Sequence, residues 1–101
     1  MSAADKMKTA LETMQARSAV YGQGHAGHVA HARVIMTLFP EGLHLNSEEE
    51  HARWLLFNMI LTKVCRYAAN FHQGGHQDSI HDAGVYAFLL EDYDDRVNNG
   101  K

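Results

Sequence analysis

Three groups of residues in this chain have types and spacings suited to chemistry. Lys63 and Arg66 are three apart, and Asp78 and Asp82 follow beyond a Gly74-Gly75 pair. Cations and acids set out in this way can make a structural ion pair, or Lys63 and Arg66 can hold an anion such as a nucleotide phosphate. Asp78 and Asp82 are four apart, hence on one helical face, and two such carboxylates can hold Mg²⁺ with waters completing the octahedron. Histidine is the third group, with eight in 101 residues. His25, His28 and His31 run at i, i+3, i+6, a series that offers adjacent pairs (His28 with His31) but no triad. His72, His76 and His81 flank the double glycine, and Zn²⁺ would need three or four such ligands to converge. The metal candidates are therefore Asp78, His81 and Asp82. The plainer alternative is a cap at Asp78, an ion-pair partner at Asp82, and a histidine-rich surface that becomes more basic below about pH 6.5.

Four helical segments must position these residues. The first spans about 3–20, with Ser2 as cap, Asp5 as its capping-box partner, and a narrow stripe of Met7, Leu11 and Met14. That stripe is small and flexible, so this helix is expected to be the least firmly docked. The second spans about 25–39 and is stopped by Pro40-Glu41-Gly42. The third spans about 47–73, capped by Ser47 with Glu50 and closed by Gly74-Gly75. It is apolar on nearly all sides, as a central helix or an oligomer interface would be. The fourth spans about 78–97, with Asp78 as cap. Asp92, Asp94 and Asp95 oppose its dipole, which predicts fraying after about Tyr93. No segment alternates with period two. The expected fold is all-α, a single domain built as a four-helix, mostly antiparallel bundle with a long central third helix.

Composition narrows the function classes. The chain is 46% hydrophobic and 21% charged, ordinary for a globular domain, with one proline. The single cysteine, Cys65, excludes a disulfide or a cysteine-based zinc cage within one chain and suits a reducing cytoplasm. On the apolar third helix it is expected to be buried and inert. The net charge is −3 with scattered cations, so no extended nucleic-acid surface is expected. The longest uncharged apolar run, Trp54 to Thr62, is too short to cross a membrane, and no secretory signal opens the chain.

Register predicts which charges meet. Taking residue 75 as the reversal, Arg66 is nine positions before it and Asp82 seven after, an offset of about 3 Å of helical rise. Arg66–Asp82 is therefore the expected ion pair. Lys63 lies inside the apolar stripe and roughly 7 Å from level with Asp82.

The pattern Tyr21-Gly22, His31-Ala32, Lys63-x-x-Arg66 and Asp78-Ser79-x-x-Asp82 with Tyr86 resembles a family of small helical proteins. That family is encoded by phages and prophages and catalogued as a domain of unknown function. The resemblance covers about Arg17 to Leu90, and its most specific part is Lys-x-x-Arg followed by Asp-Ser-x-x-Asp. It implies a virus-derived accessory protein in a bacterial cytoplasm. It also brings a nucleotide role into view, through a distant likeness to all-α nucleotide pyrophosphohydrolases. The chain departs from the pattern at Ile80, where the family tends to have tryptophan, and at Val85, where glycine is usual and this chain has Gly84 instead. It departs also at Asn58, where an acid is common. The Asn58 departure removes the acid that metal-dependent hydrolysis would most need.

Two expectations result. One is a non-catalytic accessory protein that self-associates and binds a host or phage macromolecule, in host takeover or against a defence. The other is a metal-dependent nucleotide-binding or pyrophosphohydrolase-like protein centred on Lys63, Arg66, Asp78 and Asp82.

Overall fold

The computed structural model describes residues 2–21 and 24–100, without the side chains of residues 18–25. Its described residues form four α-helices and no strand: α1 (Ala3–Tyr21), α2 (Gly24–Leu38), α3 (Glu48–Ala69) and α4 (Gln77–Asn99). The predicted all-α class is the observed one. The two long helices are nearly equal, 22 residues in α3 and 23 in α4.

Local signals start the helices. At α1 the Asp5 N–H donates to Ser2 Oγ at 3.1 Å, and the Ser2 N–H returns to Asp5 Oδ2 at 3.3 Å, a reciprocal capping box. At α3 the Glu50 N–H donates to Ser47 Oγ at 3.0 Å, and three glutamates occupy the first turn, where the helix dipole favours anions. After α2, the Gly42 N–H donates to Phe39 O at 3.0 Å, with Gly42 at φ 89, so Pro40-Glu41-Gly42 is the turn the sequence predicts.

The reversal between α3 and α4 differs from expectation. Helix α3 ends at Ala69 rather than residue 73. The buried Asn70 intervenes: its Nδ2 donates to Arg66 O at 3.0 Å, and its carbonyl accepts from Gln73 and Gly75. A single 3₁₀ turn, Phe71–Gln73, follows, then Gly74 and Gly75 at φ 97 and 78. The cap of α4 is His76, not Asp78. Its Nδ1 accepts from the Ser79 N–H at 3.3 Å and lies 2.6 Å from the Ser79 hydroxyl. An imidazole acceptor at the N-cap position does the work usually given to Ser or Asp, so the helix begins one residue before Asp78. Nor does α4 end near Tyr93; it continues to Asn99. Asp94 is held by Arg53 of α3, and Asp92 by Arg96, so two of the acids that oppose the dipole are neutralised locally.

Helices α3 and α4 form an antiparallel hairpin. Arg53 Nε meets Asp94 Oδ1 at 2.7 Å and Lys63 Nζ meets Asp82 Oδ2 at 3.1 Å. Ten residues along α3 match twelve back along α4, which is about 15 Å against 18 Å of rise. Ser79, Ala83 and Tyr86 follow helical spacing on the α4 face turned to α3, and Ser79 is almost wholly buried. Among the described residues the buried apolar side chains are Leu61, 8% exposed, and Ala83, 7%. Every described side chain of α1 is exposed. The radius of gyration is 16.7 Å; a compact chain of this length has about 13 Å. No helix is long and apolar enough to cross a membrane among the described residues.

Candidate functional site

Lys63 and Asp82 are the predicted site residues that the structure joins most directly. Lys63 lies on the half-buried side of α3, and its aliphatic stem is covered while the ammonium reaches Asp82. The Lys63 side chain is 14% exposed and that of Asp82 42%, so the pair is open to water mainly from the acid's side. The less expected of the two cation contacts is thus the one that closes on Asp82. The physical reason lies in the turn. The 3₁₀ turn and the His76 cap use up residues 70–76, so the level of residue 82 on α4 falls opposite a residue earlier on α3 than a simple reversal at residue 75 predicts. Arg66 is half-buried one turn further on, and its backbone carbonyl holds Asn70.

The remaining candidates disperse. Asp78 and His81 are exposed on α4. Among the described residues no three His, Cys, Asp or Glu side chains come together as a set that could hold a metal ion, so Asp78, His81 and Asp82 do not make one. His28 is exposed. His31 is half-buried with its Nε2 lacking a hydrogen-bond partner, and the Asn58 Oδ1 is in the same condition. A buried polar atom without a partner costs about 1–3 kcal/mol. Tyr86 is half-buried on α4. His76 is consumed by the cap, and His72 packs edge-on against Phe71 at 5.3 Å. Tyr21, Gly22 and His25 of the sequence pattern lie outside the described residues or side chains. Cys65 is half-buried rather than buried, and desolvation raises its thiol pKa above the ordinary 9.0, which keeps it protonated and slow as a nucleophile.

A second region was not singled out by the sequence. Phe39, Trp54 and Phe57 form an edge-to-face cluster with ring centroids 5.8–6.4 Å apart. Beside it lies a cavity of about 240 Å³, lined also by Leu43, Leu45 and Leu90, with Glu50 and Arg53 at its polar edge. The hydrogen bond to Asp94 and the charge of that carboxylate raise the Arg53 pKa above its ordinary value. The signal that could have found this region is the apolar set Trp54, Phe57 and Leu61 at i, i+3, i+7, a second stripe on α3 that receives α2.

The largest chemical feature of the molecule is apolar. Among the described residues fourteen large hydrophobic side chains are exposed, spread over all four helices and the turn. Single exposed apolar residues are ordinary, but here they recur at helical spacing: Met7, Leu11 and Met14 on α1, and Ile80 with Phe88 on α4. Phe88 and Met7 are each 73% exposed. Large exposed apolar faces mark interaction sites. Comparison with family models, with curated proteins and with solved structures finds no match.

Proposed function

We propose that this protein acts by binding a macromolecule through its exposed helical faces, and not by catalysis. The observation that carries this reading is the imbalance, among the described residues, between fourteen exposed large apolar side chains and the buried pair Leu61 and Ala83. The cations that a nucleotide reading needs are engaged in the fold. Lys63 is neutralised by Asp82, and a phosphate would have to displace that carboxylate. The resemblance of Lys63-x-x-Arg66 and Asp78-Ser79-x-x-Asp82 to a phage-encoded family supports a more specific version. In it the chain is a phage-type accessory protein whose target is a host or phage macromolecule, engaged in host takeover or against a defence.

The test is affinity capture of the full chain from bacterial lysate, run beside a Phe88→Ser, Leu55→Ser variant that keeps its helical circular dichroism. A partner retained by the unaltered chain and lost by the variant is the expected result. Capture that is identical for both chains removes the reading. A thermal-shift series with nucleotides, with and without Mg²⁺ or Mn²⁺, runs alongside. A ligand at a hundredfold its Kd adds about 2.7 kcal/mol of apparent stability. A nucleotide-dependent shift abolished by Lys63→Met would replace this reading with the nucleotide-binding one.

A further inference from the structure

We infer that a second copy of this chain covers its open apolar faces, with the Met7–Leu11–Met14 stripe of α1 laid on the partner. The inference rests on the reading of those faces as binding surfaces and names their occupant. Its first support is area. The chain exposes 7829 Å². A folded monomer of its mass exposes about 5,700 Å², so roughly 2,100 Å² per chain is surplus surface. Two copies burying that surplus together would hide about 4,000 Å², within the 2,000–5,000 Å² of obligate homodimers and well above a transient contact.

The second support is the state of α1. Its described side chains are all exposed, and its described side-chain hydrogen bonds, such as Ser2 to Asp5 and Thr9 to the Asp5 carbonyl, are local. A 19-residue helix whose described side chains are all exposed is marginal in water, because most helical stability in proteins comes from burying one face. Met7, Leu11 and Met14 provide such a face, and methionine adapts to an irregular surface. The third support is charge. Helix α1 carries three cations against two acids, whereas α4 carries six acids, of which, among the described residues, Asp82, Asp92 and Asp94 are taken up by the chain's own salt bridges and Asp78, Glu91 and Asp95 are not. Between copies this asymmetry draws α1 of one chain toward α4 of the other, where Ile80 and Phe88 stand exposed.

Light scattering on the full chain after size exclusion tests this directly. The expected result is a mass twice the 11.3 kDa of the chain, with a melting temperature that rises with protein concentration. Leu11→Arg is expected to weaken dimerisation by at least about tenfold, because it places a charge at the centre of the stripe. Met7→Ser with Met14→Ser, which introduces no charge, is expected to act in the same direction with helicity retained. A mass of 11.3 kDa with cooperative, concentration-independent melting overturns the inference, whether α1 then docks on its own chain or awaits a different protein. Dimerisation untouched by both α1 variants overturns it as well. A chain that dimerises but captures no other macromolecule supports this inference while removing the accessory reading. A single chain that still captures a partner does the reverse.

Discussion

The α3–α4 hairpin and the α1 helix are built from comparable helical signals, yet among the described residues only the hairpin buries side chains. Both begin at a serine with an acid three residues on, and both caps form with N–H to Oγ distances of 3.0–3.1 Å. The hairpin then adds long-range constraints: Arg53–Asp94, Lys63–Asp82, the buried Asn70 and Ser79, and Gly75 pressed on Tyr67. Helix α1 adds contacts three or four residues apart along its own chain. Capping and propensity therefore suffice to start a helix but not to fix its place, which needs a face to bury and something to bury it against.

The sharpest way to break this contrast is through its glycines. Gly75 has φ 78, and a Cβ there would stand 2.6 Å from Tyr67 Cε2, so Gly75→Ala combines a left-handed alanine with a steric clash. We expect a loss of about 3 kcal/mol in urea unfolding, the sum of roughly 1–2 kcal/mol for the backbone and a comparable cost for moving the ring. Gly27, in α2 and with nothing near its Cβ position, should behave oppositely. There Gly27→Ala should raise helicity and stability by about 0.5–1 kcal/mol. Equal effects at the two positions would mean that the hairpin turn is not the stable centre of the molecule.

The next effect is electrostatic. Asp82→Asn leaves the Lys63 ammonium largely covered without its carboxylate, and should cost about 1–3 kcal/mol, less than a fully buried pair because Asp82 is partly open to water. Lys63→Met keeps the stem and removes the charge, and should lie within about 1 kcal/mol of the unaltered chain. Arg96→Ala, in the exposed pair with Asp92, should cost at most about 0.5 kcal/mol. If Asp82→Asn proves as mild as Arg96→Ala, the Lys63 pair is a surface contact.

The smallest effect reads the hairpin through Cys65. Burial raises its thiol pKa, so at a given pH less of it is thiolate than in the unfolded chain, and alkylation should be slow until the hairpin opens. Because the folded value is the higher one, this group contributes stability that is fully present below about pH 9 and declines as pH rises above it. Variants confined to α1 that leave dimerisation intact should not alter the alkylation rate, whereas Gly75→Ala should speed it severalfold.

Much of the fold was legible in the residues. Ser2 with Asp5, Ser47 with Glu50, and Pro40-Glu41-Gly42 are local chemistry, and each does what its sequence predicts. The differences cluster at the reversal, where one local contact displaces another. His76 caps α4 ahead of Asp78 through Ser79, three residues on, and Asn70 closes α3 ahead of Gly74 through the Arg66 carbonyl, four residues back. The candidate site was half legible. Lys63 and Asp82 both stand out by type and spacing, but Asp82 pairs with Lys63, one turn before Arg66, because the length of the turn, not the count of residues to a glycine, sets helical register. The Arg53–Asp94 pair is 41 positions apart in sequence, and nothing local ties those residues together.

The sequence by itself determined that the chain is helical, where α1 and α3 begin, and that α3 is apolar on nearly all sides. Those properties depend on neighbours within a few positions, and on composition. Tertiary structure decided which cation meets Asp82, how far α4 runs, and which apolar faces stay open. Those depend on the distance between residues far apart in the chain, which is fixed only when α3 and α4 close on one another.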